Sequence, residues 1–258
     1  MSAGEMFSLI AAALAAGVIN AIAGGGTLVT FPTLLLFGTP PIVANATSTL
    51  ALVFGNVGSV YGYRKQLNSV KPWLWRFVPV SIVGGLIGSA LLTRTSNETF
   101  SKLVPFLILF ATILFLLQGM FRRSAGLDNT DTAHKPRDRI WMAIFFQFAV
   151  AIYGGFFGAG IGILMLASLG FIGLSNIHEM NALKTVLGLL INLVAAVWFI
   201  SAGLIDWPKA GIMTVGALAG YYIGSHYSQR IPQKYVRHII TAIGFVISAI
   251  TFYKEFLD

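Results

Sequence analysis

Apolar segments recur along this chain from end to end, and their lengths decide what it can fold into. They run over residues 6–23, 27–37, 42–63, 72–93 and 100–121, then, beyond a polar stretch, over 140–157, 161–172, 181–200, 210–225 and 238–253. A helix rises about 1.5 Å per residue and the hydrocarbon core of a bilayer is about 30 Å thick, so eight of these segments approach the length of a span. Segments 27–37 and 161–172 reach only about 16–18 Å and cross about half of it. Each short segment follows a glycine break, Gly24-Gly25-Gly26 in one case and Gly158-Ala159-Gly160-Ile161-Gly162 in the other. Glycine weakens a helix by roughly 1 kcal/mol relative to alanine, and Pro32 removes a donor. Inside lipid such a break is tolerated only where protein or a water-filled cavity satisfies the freed backbone groups. The expected form is a helix that enters, turns at the glycines and returns, with the turn lining a site.

Composition narrows the class. The chain is 56% hydrophobic and 10% charged, with a formal charge of +8. Its Lys and Arg residues sit in short clusters between apolar runs, which fits the positive-inside rule and argues against a nucleic-acid surface. The absence of cysteine excludes disulfides and thiolate metal sites. Before Phe7 the chain carries Glu5 and no Lys or Arg, the wrong side-chain charge for a secretory n-region, so segment 6–23 is expected to stay in the mature protein. No hydrolase, metalloprotease, Walker A or dinucleotide motif occurs, and Glu98, Glu179 and Asp206 fall at segment ends. His178 and Glu179 alone do not make a metal site. The expectation is therefore a non-enzymatic membrane protein with no cofactor.

The two halves of the chain match each other at nearly constant spacing. Asn45-Ala46 recurs as Asn181-Ala182, Asn56 as Asn192, Pro72 as Pro208, Gly84 as Gly220, Gly88-Ser89 as Gly224-Ser225 and Arg94 as Arg230, all 136 apart. The glycine breaks match at 134, Gly24 with Gly158 and Gly26 with Gly160. This divides the chain into a first membrane repeat, 1–123, a cytoplasmic linker, 124–139, and a second membrane repeat, 140–258. Charge orients the repeats oppositely. Arg64, Lys65, Lys71 and Arg76 crowd one expected loop of the first half, where the second has Asp206 and Lys209; after the next span Arg94 and Lys102 match the more basic Arg230, Lys234 and Arg237. The expected fold is all-α and polytopic, with two inverted repeats, each a glycine-broken hairpin plus three transmembrane helices. It places 12 of the 17 Lys and Arg residues in the cytoplasm and both termini outside. The alternative is eight ordinary spans with broken first and fifth helices.

The polar residues within the apolar segments are mostly neutral. Asn45, Ser48, Thr49 and Asn56 follow the spacing 3, 4, 11, which places them on one helical face, and Asn181, Lys184, Thr185 and Asn192 repeat it with Lys184 in the place of Ser48. Such residues also glue helices together in membranes. Lys184 stands inside a span, where it either attracts an anion or snorkels to the headgroups. Backbone N–H groups at the half-helix starts add partial positive charge. The expected substrate-binding set is Asn20, Gly24, Gly25, Gly26, Thr27, Asn45, Ser48, Thr49, Asn56, Gly158, Gly160, Asn181, Lys184, Thr185 and Asn192, with no catalytic and no metal-binding residue. The glycines Gly84, Gly85, Gly88, Gly216, Gly220 and Gly224 have the four-residue rhythm of close helix packing.

These motifs resemble the TauE/SafE family of membrane permeases. The stretch Gly17 to Leu92 carries G-x-x-N-x-x-A-G-G-G-T-x-x-x-x-P-x-L and P-P-x-x-A-N-A-T-S, and Ile152 to Tyr227 carries a looser copy without the proline. The resemblance implies a multi-pass inner-membrane transporter that exports a small anion, with sulfite or an organosulfonate such as sulfoacetate as substrate and a proton as a candidate coupling ion. The partners expected are the anion and the lipid bilayer, with no nucleic acid; a homo-oligomer is left open. A passive anion channel of the same architecture and a non-transporting scaffold are the rival readings.

Overall fold

The computed structural model describes residues 1–22, 24–62, 67–124, 138–171, 174, 176–227 and 233–257. Among them the chain forms ten α-helices and no strand: α1 (Ala3–Ile22), α2 (Thr27–Leu36), α3 (Pro41–Gly62), α4 (Leu67–Arg94), α5 (Asn97–Ser124), α6 (Asp138–Phe156), α7 (Ile161–Phe171), α8 (Ile177–Ser201), α9 (Trp207–Tyr227) and α10 (Gln233–Phe256). Five of them are long and apolar enough to cross a membrane: α1, α4, α5, α8 and α10. Apolar side chains cover much of the outer surface, with Phe54, Phe106, Phe145, Val197, Val215 and Tyr222 exposed. That is the surface a bilayer requires and water penalises. The chain is thus a multi-pass membrane protein.

The two short segments fold as short helices, α2 with 10 residues and α7 with 11. The charge-rich loop expected over 64–76 is not seen as one. Residues 63–66 lie outside the described residues, and Lys71 and Arg76 belong to α4, whose 28 residues reach about 42 Å, longer than the hydrocarbon is thick. Near its start Trp75 is largely exposed, and Arg76 lies 5.4 Å from the centre of the Trp73 ring. Segment composition alone did not show this, because a helix can continue into the headgroups wherever polar side chains solvate its surface. Most of the expected linker, 124–139, and Arg64, Lys65 and Arg230 also lie outside the described residues.

The helices interlock across the sequence. α1 packs most heavily on α9 and α4 on α6; α3 also packs on α9, α4 on α8, α5 on α10 and α3 on α8. Two buried cores result. One is centred on α1, α2, α3 and α9 and reaches into α5; the other is built from α4, α6, α7 and α8. Small residues let the heaviest pairs approach backbone to backbone. A Cβ on Gly220 or Gly224 would run into the main chain of Leu14 or Val18 on α1, and a Cβ on Gly84 or Gly88 into Phe148 or Ile152 on α6. Leu14 and Phe148, like Val18 and Ile152, stand 134 residues apart, the offset of the glycine breaks, while Gly84 and Gly220 stand 136 apart. The order of these contacts makes α1 parallel to α9 and α4 parallel to α6. By contrast Gly244 meets Thr112 while the Ser248 hydroxyl donates to the Pro105 carbonyl, so α5 and α10 run antiparallel.

A charged cluster ties one end together. Lys209 Nζ at the start of α9 donates to the Thr39 hydroxyl at 2.8 Å and to the Phe37 carbonyl at 3.3 Å, and lies 3.5 Å from the Glu5 carboxylate and 3.6 Å from that of Asp206. The Asp206 N–H donates to the buried Thr47 hydroxyl, and the Ile42 N–H to Asn97 Oδ1. The start of α1, the end of α2 and the starts of α3, α5 and α9 therefore share one end of the molecule, and the hairpin α1–α2 returns to the end from which it enters.

Candidate functional site

The two glycine breaks close alike and then diverge: positive φ falls at Gly24 and Gly25 in the first and at Gly158 and Gly160 in the second, while Gly26 is helical with φ −57°. Gly24 N–H donates to the Ile19 carbonyl at 3.1 Å, and Gly158 N–H to the Tyr153 carbonyl at 3.2 Å, each closing a helix C-terminus with the glycine at positive φ, 79° and 82°. The next helix then opens alike, Val29 N–H onto the Gly26 carbonyl and Ile163 N–H onto that of Gly160. In each turn the chain reverses within four residues.

Both turns rest on the middle third of α5. A Cβ on Gly25 would strike the Phe115 ring, and one on Gly160 would touch Leu114 and Ala111 at 3.6–3.7 Å. The first hairpin also meets the second turn directly. Phe31 of α2 makes an edge contact with Phe157 at 5.4 Å between centroids, and Asn45 Nδ2 of α3 donates to the Phe156 carbonyl at 3.1 Å. Phe100 closes the aromatic cluster against Phe156 and Phe157.

Around the first turn the polar residues are paired. Asn20 Oδ1 accepts from Gly26 N–H at 2.6 Å, and the Asn20 side chain also hydrogen-bonds Tyr221 of α9. The Thr30 hydroxyl donates to the Gly26 carbonyl and sits 2.6 Å from the Ser48 hydroxyl, both fully buried. Thr49 donates to the Asn45 carbonyl of its own helix. Gly24, Thr27 and Asn56 are partly buried, Gly25 and Gly26 buried.

Around the second turn the side chains differ. Lys184 of α8 lays its stem against Gly162, with Cδ 3.2 Å from where a Cβ would stand. It is partly buried, and no hydrogen bond or ion pair to it is described. Asn192 Oδ1 lies 3.7 Å from the Cβ position of Gly158, and Tyr153 Oη donates to the Ala159 carbonyl at 2.8 Å. Asn181 is partly buried and Thr185 buried on the same helix. Of the residues singled out from the sequence, the glycines, Asn20, Asn45, Lys184 and Asn192 adjoin the turns, while Ser48 and Thr49 use their hydroxyls within the helix packing. Phe31, Phe115, Tyr153, Phe157 and Tyr221 were missed. One signal was available for Tyr221: at the 136 offset it stands opposite Gly85, while its contact Gly55 stands opposite Ile191.

A bundle of helices with an apolar outer surface that carries two glycine-broken hairpins is the fold on which the family comparison bears. Residues 9–251 match the model of the sulfite exporter TauE/SafE family, and the chain belongs to that family. It is 28% identical over 242 residues to a probable membrane transporter protein of Haemophilus influenzae, covering 93% of this chain and 91% of that one. It is also 28% identical over 252 residues to the probable membrane transporter protein YfcA of Escherichia coli K12, covering 94% and 88%. To the probable membrane transporter protein YunE of Bacillus subtilis it is 24% identical, covering 95% and 97%. No solved structure matches it.

Proposed function

We propose that this protein is a secondary transporter of the inner membrane that exports a small anion, sulfite or an organosulfonate such as sulfoacetate, by alternating access, with a proton as coupling ion. One observation carries the reading: two glycine turns lie against one stretch of α5, and the stem of Lys184 lies against Gly162 just beyond the second, with no described partner for its ammonium. The starts of α2 and α7 add backbone N–H groups and the positive ends of two helix dipoles, which favour an anion. Asn20, Asn45 and Asn192 adjoin the turns, and Thr27, Asn56, Asn181 and Thr185 complete the proposed binding set. Inverted repeats 1–123 and 140–258, joined by a cytoplasmic linker, are supported by the antiparallel α5–α10 pair and by the exchange of packing partners, α1 on α9 matched by α6 on α4. Because the halves interlock, the moving bodies would be the two cores, one of α1, α2, α3 and α9 and the other of α6, α7, α8 and α4.

The test is counterflow of radiolabelled sulfite in proteoliposomes. The expected result is saturable flux that responds to an imposed pH gradient and falls at least about a hundredfold in Lys184→Ala, partly restored in Lys184→Arg. Unchanged flux in a normally inserted Lys184→Ala variant overturns the role of Lys184. Downhill flux indifferent to protons favours a channel.

A further inference from the structure

Asn45 is the most constrained polar side chain near the turns. It is 1% exposed, and its Nδ2 is committed to the Phe156 carbonyl, so its orientation is fixed. Its Oδ1 is buried and has no hydrogen-bond partner. A buried acceptor without a donor costs about 1–3 kcal/mol, so such an atom is expected to meet a donor in some working state. The neighbouring hydroxyls do not supply one. Thr49 donates to the Asn45 carbonyl, Tyr153 to the Ala159 carbonyl, and Thr30 and Ser48 bond each other. Asn45 and Lys184 flank the same turn, Asn45 at the last residue of α6 and Lys184 at the second residue of α7. Around this turn the structure therefore brings a lysine side chain, through its stem, and one buried acceptor that needs an O–H or N–H.

We infer that this site selects a monoanion that carries its own O–H, with Lys184 facing the charge and Asn45 Oδ1 accepting the hydroxyl. The inference rests on the anion-transport reading and sharpens it: hydrogensulfite in its O–H form fits, whereas a fully deprotonated sulfite or sulfoacetate brings a second charge and no donor. Asn45 thereby sets specificity, because a site built around a substrate hydroxyl leaves its own polar atom unpaired when the hydroxyl is missing.

Two pyramidal oxyanions of the same charge differ in this one group at neutral pH: hydrogenselenite has an O–H and chlorate does not. Each is titrated as an inhibitor of sulfite counterflow in proteoliposomes of the intact protein. Hydrogenselenite is expected to inhibit at a concentration at least about tenfold lower than chlorate, and the ratio should fall toward one in Asn45→Ala. Should Asn45→Ala fail to insert, the wild-type ratio decides alone. Equal inhibition by the two anions, stronger inhibition by chlorate, or no inhibition by either while sulfite still moves would each overturn the inference; equal inhibition would mean that a resident water serves Asn45. Absence of any sulfite flux would instead overturn the transport reading beneath it.

Discussion

The two glycine turns share their closing and reopening hydrogen bonds but differ in the backbone between and in chemistry. Both close on a carbonyl five residues back and both reopen as a half-length helix, yet Asn20, Tyr221 and Gly55 stand around the first where Gly154, Gly85 and Ile191 stand around the second. The bulk has moved between helices. Tyr221 of α9 fills the space above Gly55 of α3, whereas Ile191 of α8 fills the space above Gly154 and Gly85. The hydroxyl pair Thr30–Ser48 of the first hairpin has Leu164 and Lys184 as its counterpart in the second. A duplicated frame can hold its helix crossings through glycine contacts while its turns and side chains diverge, leaving neutral hydrogen-bonded groups at one turn and a lysine stem beside the other.

That comparison can be broken at three levels. The glycine contacts carry the frame, so the largest effects belong there. Gly88→Val and Gly220→Val each force a side chain into facing main chain, of Ile152 and Leu14 respectively, and both should abolish the folded, monodisperse fraction in detergent. Gly85→Ala, whose added methyl would meet Ile191 at 3.4 Å or more, should retain it. If Gly220→Val folds and Gly88→Val does not, the two crossings are not equivalent. Next comes the first turn's own fastening. Asn20→Ala removes the acceptor of Gly26 N–H and should cost about 1–3 kcal/mol, read as a lower unfolding temperature. The smallest effect is expected for Tyr221→Phe, which keeps the ring over Gly55 and loses only the bond to Asn20, about 0.5–1.5 kcal/mol. A larger loss in Tyr221→Phe than in Asn20→Ala would mean that the tyrosine hydroxyl holds more than Asn20.

Much of this frame was legible in the sequence because it rests on spacing. Segment lengths gave α2 and α7 to within about one residue, the offsets 134 and 136 recur in the three-dimensional contacts, and the glycine rhythm of α4 and α9 marks two matching crossings. The interlocking was not legible. Nothing in the apolar pattern of α1 says that it will pack on α9 rather than on a neighbour in sequence, since lipid and protein demand the same apolar side chains from a spanning helix. Nor could spacing separate polar residues that bond within the packing, such as Ser48 and Thr49, from those left facing a turn, such as Lys184. Both kinds obey the same helical period, and only the partner across the interface tells them apart.

The central claim is that both turns and Lys184 form one anion site. Thermal unfolding of the purified protein with and without sulfite tests it without requiring transport. At a hundredfold excess over its dissociation constant a ligand specific to the folded state stabilises it by about 2.7 kcal/mol. Wild type should show a clear rise in unfolding temperature, and the rise should vanish in Lys184→Gln and shrink in both Thr27→Leu at the first turn and Asn192→Leu at the second. A full sulfite response in Lys184→Gln, or loss of response from one turn only, would contradict the claim.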